Sequence, residues 1–152
     1  MLGSLPGEIS LARAQYYANP HNAFWRLMGA VLGEDLVALG YDDRLAALLK
    51  RGVGLWDVVA QAERRGSLDA AIRNASHSDL AGLADSLPNL RAVAFNGATS
   101  AKVGTKLLAG HADRLRLIPL PSSSPAHAAR SFEQKAEAWM ALREFVQAPQ
   151  VD

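Results

Sequence analysis

The chain has 152 residues, no cysteine, and a net charge of +1 from 16 Lys and Arg against 15 Asp and Glu. This length fits one domain, which we expect to span residues 1–152, and the lack of cysteine excludes disulfides, thiolate metal sites and cysteine nucleophiles. The charge is unlike that of a protein that coats nucleic acid, although it is compatible with contacts to a few phosphates.

The first clear element along the chain is a helix. Apolar residues follow helical spacing and Gly33 ends the pattern; they are Phe24, Leu27, Met28, Val31 and Leu32. Further helices are predicted over residues 42–50, 79–86, 99–108 (with Thr99 as N-cap) and 131–146, and buried strands over residues 90–95 and 115–120. Strands that alternate with helices predict an α/β fold, a three-layer α/β/α sandwich around a short parallel sheet of about four strands.

Parallel sheets place ligand sites at the carboxyl ends of their strands. Three loops would therefore gather at one edge of the sheet, over residues 3–7, 96–97 and 121–128. If Gly3 and Ser4 follow a first strand, only Met1 and Leu2 remain to form it, whereas a buried strand usually has 4–8 residues. We therefore expect this strand to be truncated, with residues missing upstream.

Four blocks of sequence carry a family resemblance. In chain order they are Gly3-Ser4-Leu5-Pro6-Gly7, the run Tyr16-Tyr17-Ala18-Asn19-Pro20-His21-Asn22-Ala23-Phe24-Trp25, Phe95-Asn96-Gly97, and Leu120-Pro121-Ser122-Ser123-Ser124-Pro125-Ala126. Together they resemble the hypoxanthine-DNA (deoxyinosine) glycosylase branch of the uracil-DNA-glycosylase superfamily, from residue 1 to about residue 146. The resemblance implies a base-excision-repair enzyme that flips a deaminated base (hypoxanthine, or uracil or xanthine) out of DNA and hydrolyses its N-glycosidic bond.

Two alternatives remain open. Mismatch-specific uracil and thymine glycosylases share parts of these blocks, but they carry a catalytic Asn where this chain has Leu5, and a leucine cannot position a water. The other alternative is a catalytically degenerate relative that binds DNA without releasing a base. The leucine at position 5 favours the hypoxanthine branch, in which the resemblance assigns catalysis to Asn22.

Each candidate site residue also has a purely structural interpretation. Asn22 would orient the attacking water through its amide, but its position before a helix is also typical of an N-cap. Asn96 is implied to recognise the flipped base, although Asn-Gly after a strand is most often a turn. Phe24 would stack on the base, or instead begin the apolar stripe of its helix. Three tryptophans, Trp25, Trp56 and Trp139, are expected to be core or helix-packing residues.

The remaining site residues lie in the loops. Gly3, Ser4 and Gly7 are expected to bind the base, and Gly3, Pro6 and Gly7 would let backbone approach the base or sugar closely. Ser122, Ser123 and Ser124 would contact DNA phosphates through hydroxyl and backbone N–H groups, or form an ordinary polar loop. His127 falls where the hypoxanthine branch carries Asn, near a wedge that fills the gap left by the flipped base.

The expected partners follow from these assignments. The substrate would be double-stranded DNA that contains deaminated bases, acted on without a metal or other cofactor by a monofunctional enzyme, because no Lys lies within the four blocks. We expect no membrane association, a monomer, and a cytoplasmic, nucleoid-associated location. No signal peptide is predicted, since the opening residues are too short and too rich in Gly and Pro.

Overall fold

Helices alternate with strands in the computed structural model, which describes residues 1–3, 16–57, 59–61, 76–77 and 79–148. The strands are β1 (Leu2–Gly3), β2 (Trp56–Asp57), β3 (Val59–Gln61), β4 (Ser76–His77), β5 (Ala92–Asn96) and β6 (Arg116–Leu120). The α-helices are α1 (Phe24–Leu32), α2 (Tyr41–Lys50), α3 (Leu80–Asp85), α4 (Ala98–Leu107) and α5 (Phe132–Trp139). Short 3₁₀ helices cover Ala109–His111 and Met140–Glu144.

The longest pairing in the sheet is between the parallel strands β5 and β6. The register runs from Ala92 opposite Arg116 to Asn96 opposite Leu120. The two-residue strands β1 and β2 continue the sheet in parallel, in the order β2-β1-β5-β6. Strands β3 and β4 form a separate antiparallel pair, which the sequence analysis did not predict. The predicted α/β class with a parallel sheet is confirmed.

Strand β5 supplies apolar side chains to both faces of the sheet. Ala94 packs with α1 and the residues around Trp139, whereas Val93 and Phe95 pack with the residues of α3 and the end of α4. Alternate residues of a strand point to opposite faces, so helices cover the sheet on both sides. Because β5 packs on both faces and lies between β1 and β6, packing on all sides positions its carboxyl end.

Helix α1 is anchored at its carboxyl end by arginines. Gly33 ends the helix in the left-handed conformation, with φ of 70°. Arg143 donates hydrogen bonds to the carbonyl oxygens of Ala30 and Val31 at 3.1 Å, and Arg51 donates to that of Leu32 at 3.0 Å. These bonds satisfy carbonyls that a helix end leaves without partners. Because these bonds fix the helix at its carboxyl end, they also help to position its N-terminal end, which Asn22 precedes.

Three sequence-based details require correction. Thr99 lies inside α4, because Gly97, with φ of 102°, is the N-cap residue. The last helix was predicted over residues 131–146, but Ser131 is its N-cap, in a reciprocal pair with Gln134, and the α-helix ends at Trp139 and tightens into 3₁₀ turns. Trp56 is 47% exposed and is not a core residue, whereas the two other tryptophans are buried.

Candidate active site

The carboxyl ends of β5 and β6 bring two of the predicted loops together. The backbone N–H of Gly97 donates to the carbonyl oxygen of Leu120 at 3.0 Å, so the chain leaves both strands at the same edge. Gly3 ends the neighbouring strand β1. Ser4 and Gly7, which belong to the third predicted loop, lie outside the described residues. The described part of the candidate site is therefore built from the ends of three strands and the start of α1.

Asn96 and Ser123 form the closest polar contact at this edge. The backbone N–H of Ser123 donates to Oδ1 of Asn96 at 2.8 Å, and Nδ2 of Asn96 donates to Oγ of Ser123, also at 2.8 Å. Both side chains are buried, with Ser123 only 1% exposed. Because both bonds go to one residue, they use the same edge of the planar amide. Asn96 then keeps one N–H and one lone pair, which point away from that edge and from each other.

Asn22 lies two residues before the first residue of α1, and its side chain bonds to that residue; Ala23, between them, is the N-cap. Its Oδ1 accepts from the backbone N–H of Phe24 at 2.9 Å, and its own backbone N–H donates to the carbonyl oxygen of Asn19. The side chain is partly exposed. An amide oxygen has two lone pairs, so Oδ1 retains one acceptor position for a water. The N-cap interpretation of Asn22 is wrong, because Ala23 is the N-cap residue, but the side-chain bond to Phe24 leaves room for the proposed water.

Phe24 is fully buried, and another aromatic ring covers one of its faces. The ring of Tyr17 stacks on it with centroids 3.8 Å apart and planes 18° apart, while Trp25 and Trp139 contact it edge-on. Tyr17 is half-buried and has a positive φ of 56°, a conformation that costs a residue other than Gly some strain. The sequence analysis singled out Phe24 and missed Tyr17, although both aromatics belong to the same block.

The serine loop, residues 121–124, folds back on itself through its hydroxyl groups. Oγ of Ser122 accepts from the backbone N–H of Ser124 at 3.1 Å, and Oγ of Ser124 accepts from that of Ala126 at 3.2 Å. Both serines are partly exposed, and His127 is exposed. A hydroxyl that accepts a hydrogen bond still carries a hydrogen that it can donate to a phosphate. Ser123, in contrast, is buried, with its side chain turned inward to Asn96.

Helix α5 supports the serine loop from below. Nζ of Lys135 donates to the carbonyl oxygen of Ser124 at 3.3 Å, and Nε1 of Trp139 donates to that of Pro121 at 3.0 Å. Burial lowers the pKa of Lys135, because the charged ammonium is poorly solvated there. The sequence analysis missed this lysine, since it lies eleven residues beyond the serine that it contacts. The four-residue spacing of Lys135 and Trp139 on one helical face was the available signal.

The described residues contain neither a candidate metal-binding cluster nor a candidate membrane-spanning helix. Among them, no group of three or more His, Cys, Asp or Glu side chains is arranged to hold a metal ion. No helix in the same part of the chain has the length and apolar character needed to cross a membrane.

The fold and the site define an α/β domain with amide and hydroxyl side chains at the carboxyl edge of a parallel sheet. Comparison with known proteins makes this class specific. The family model for the uracil DNA glycosylase superfamily matches residues 1–143. The chain therefore belongs to the uracil DNA glycosylase superfamily.

Individual relatives agree with this assignment. A protein of Methanosarcina barkeri named hypoxanthine DNA glycosylase is 40% identical over 140 residues, which cover 91% of this chain and 85% of the relative. A protein of the same name from Methanosarcina acetivorans is 36% identical over 138 residues, covering 91% and 87%. A solution NMR structure of a protein from M. acetivorans superposes with a TM-score of 0.81 at 38% identity, and the match covers 94% of this chain and 87% of that one.

Proposed function

We propose that this chain is a DNA glycosylase that hydrolyses the N-glycosidic bond of deaminated bases in duplex DNA, with hypoxanthine as its main substrate. Membership of the superfamily and the name of the two Methanosarcina relatives support the reaction and the substrate. The single observation that carries the proposal to the residues is the junction of three segments at one sheet edge. There Asn96 contacts Ser123, and Ser123 contacts Ala23, the neighbour of Asn22.

In the proposed mechanism, Asn22 positions the attacking water. Bond cleavage develops positive charge on the sugar and negative charge on the departing base, and a fixed amide oxygen can orient water toward the sugar without reorganising. The hydrogen bond from the Phe24 N–H fixes that oxygen in this structure. The N-terminus of α1 also favours nearby negative charge. The water adds to the sugar carbon, and the base leaves with the bonding electrons and takes up a proton.

The flipped base would lie between the ends of β1 and β5. We propose that the backbone of Gly3, together with Ser4 and Gly7, approaches it closely, and that Asn96 contributes one hydrogen bond from its remaining N–H or lone pair. The stacking role predicted for Phe24 passes to Tyr17, because the Tyr17 ring covers Phe24. Phe24 then supports the pocket as the buried ring beneath it.

DNA phosphates would bind the partly exposed edge of the serine loop. We propose Ser122 and Ser124 as the phosphate contacts, because each hydroxyl accepts from a backbone N–H and can donate its own hydrogen outward. Exposed His127 would approach the duplex at the gap that the flipped base leaves. Ser123 is excluded from phosphate contact by its burial and is treated separately below.

We further propose that residues 1–152 form one three-layer domain with a sheet of about four strands. This domain acts as a monomer and needs no cofactor. Its proposed location is the cytoplasm, at the nucleoid. We also propose a monofunctional enzyme, because the nearest described lysine at the site, Lys135, donates to a loop carbonyl from inside the protein. Treatment with borohydride, which traps a lysine–sugar imine, should therefore give no covalent adduct with DNA.

The test is base release from duplex oligonucleotides that carry one deoxyinosine, one deoxyuridine, one mismatched thymine or only normal paired bases, read as alkali-labile strand breaks. The proposal expects release from the deoxyinosine duplex and none from the normal one. Release of uracil or mismatched thymine without hypoxanthine would favour the mismatch-specific alternative. Binding to the deoxyinosine duplex with no release from any substrate would favour the degenerate relative.

A further inference from the structure

Ser123 has three hydrogen bonds that join three distant parts of the chain. Its N–H and Oγ bond to the amide of Asn96, 27 residues earlier, and its carbonyl oxygen accepts from the backbone N–H of Ala23 at 2.9 Å. The side chain is 1% exposed. Ser123 is therefore the one described residue that connects the end of β5, the serine loop and the segment that carries Asn22.

The contact with Asn96 has a defined polarity. A backbone N–H can only donate, so the Asn96 oxygen must face Ser123 N and the NH2 group must face Oγ. An amide turned by 180° would place its NH2 group against the N–H and leave two buried donors without acceptors. That arrangement carries the cost of unsatisfied buried polar groups. Ser123 thus selects one of the two orientations of the Asn96 amide.

The contact with Ala23 connects Ser123 to the segment that carries the candidate catalytic residue, Asn22. Ala23 directly follows Asn22, and its N–H is one of those that a helix start leaves without an intrahelical partner. Its bond to the Ser123 carbonyl ties the start of α1 to the serine loop. Catalytic groups must be held within about 0.5 Å of their productive positions, which requires supporting residues of this kind.

We propose that Ser123 is a positioning residue for the glycosylase reaction, which orients the Asn96 amide and holds the Asn22 segment against it. The inference rests on the proposed function and gives Ser123 a role different from DNA contact. Ser123 acts through Asn96, so its effect belongs to the base-release step and not to the affinity for the phosphate backbone. Ser122 and Ser124, on the same loop, are proposed to contribute to the affinity for the phosphate backbone and not to the base-release step.

A double-mutant cycle tests this role. Single-turnover base release from the deoxyinosine duplex is measured at saturating enzyme for wild type, Ser123→Ala, Asn96→Ala and the double variant, all well below their melting temperatures. Ser123→Ala keeps the two backbone bonds and removes only the Oγ acceptor of the Asn96 NH2 group. We expect it to slow release by about 10- to 100-fold, the range that an unpaired buried amide group produces if its cost falls on the barrier. In the Asn96→Ala background the same change should add less than about threefold. Effects that multiply would overturn the proposal.

Two further comparisons separate positioning from DNA binding and from loss of packing. Ser123→Ala should leave the Kd for the duplex within about threefold and its salt dependence unchanged, whereas Ser124→Ala should raise the Kd, because a phosphate contact is lost. A higher Kd with an unchanged rate for Ser123→Ala would contradict the proposal. Ser123→Thr and Ser123→Val have the same shape, so faster release by the Thr variant isolates the hydroxyl, and equal rates would count against it. If wild type itself releases no base, the proposed function fails. If wild type releases base but the rate effects of Ser123→Ala and Asn96→Ala simply multiply, only the positioning role fails.

Discussion

The side-chain oxygen of Asn22 accepts a hydrogen bond from the backbone N–H of Phe24 at 2.9 Å. One bond therefore connects the start of helix α1 to the residue proposed to place the attacking water. The contact fixes the amide oxygen at the positive end of the helix, where it also satisfies a donor that the helix leaves without a partner. Stability and catalysis share this bond, and substitutions can separate them.

Substitutions at Asn22 should divide the two effects. Asn22→Ala removes the side-chain bond to the Phe24 N–H and should lower the free energy of unfolding by about 0.5–1.5 kcal/mol. Asn22→Ser should lower it by less, because a serine hydroxyl can accept the same backbone hydrogen bond. Chemical denaturation of both variants beside wild type measures the difference. Equal losses for Ala and Ser would show that this hydrogen bond is not what Asn22 contributes to the fold.

Tyr17 and Phe24 should respond differently to loss of their rings. Phe24→Ala opens a cavity in the core and should cost about 3–5 kcal/mol of stability. Tyr17→Ala should cost less stability, because the side chain is half-buried, but it should slow base release by about 5- to 150-fold if the ring stacks on the base with about 1–3 kcal/mol. Thermal melting and single-turnover release on the same samples separate these outcomes. A Tyr17→Ala enzyme with unchanged release would return the stacking role to another residue.

Gly104 lies in α4 against Phe95 of β5. A Cβ at this position would fall 2.2 Å from Cε1 of the Phe95 ring, far inside van der Waals contact. Helix propensity alone predicts that Gly104→Ala stabilises the helix by about 1 kcal/mol. We expect the clash to win and the protein to lose about 1–3 kcal/mol. Gly110→Ala is the control, since nothing lies within 4 Å of its added Cβ; a more stable Gly104→Ala protein would contradict the close packing of α4 on β5.

Lys135 should make stability depend on alkaline pH. Burial lowers its pKa in the folded protein, whereas the unfolded chain holds the proton up to its ordinary pKa of about 10.4. Between these two pKa values the unfolded state binds more protons, so the free energy of unfolding rises with pH in that window. The wild type should therefore gain stability relative to Lys135→Met between neutral pH and about pH 10. Urea denaturation at both pH values measures this, and a constant difference would contradict the lowered pKa.

The regular elements were predictable because their patterns are local. The apolar spacing from Phe24 to Leu32 and the stop at Gly33 define α1 correctly, and the apolar run before Asn96 locates β5 within two residues. A helical period and a glycine in the left-handed conformation need no knowledge of the rest of the chain. The gathering of loops at the carboxyl edge also follows from the parallel sheet alone.

The details of the site were not predictable, because they depend on the path of the loops. The sequence does not indicate that the middle serine turns inward to Asn96 while Ser122 and Ser124 stay partly exposed. It also does not indicate that Tyr17 folds over Phe24, since this requires a positive φ that tyrosine seldom adopts. The support of the serine loop by Lys135 depends on how α5 packs beneath β6. Each of these contacts joins segments whose relative position only tertiary structure sets.

The most direct test of the account is single-turnover release of hypoxanthine from a deoxyinosine duplex by wild type and Asn22→Ser, side by side. Asn22→Ser keeps an acceptor for the Phe24 N–H and loses the amide, so the two proteins should differ little in stability. The account predicts release of free hypoxanthine by wild type and a rate at least about 100-fold lower for Asn22→Ser, the size of effect expected when a preorganised catalytic group is removed. Equal rates, or no release by the wild type, would contradict it.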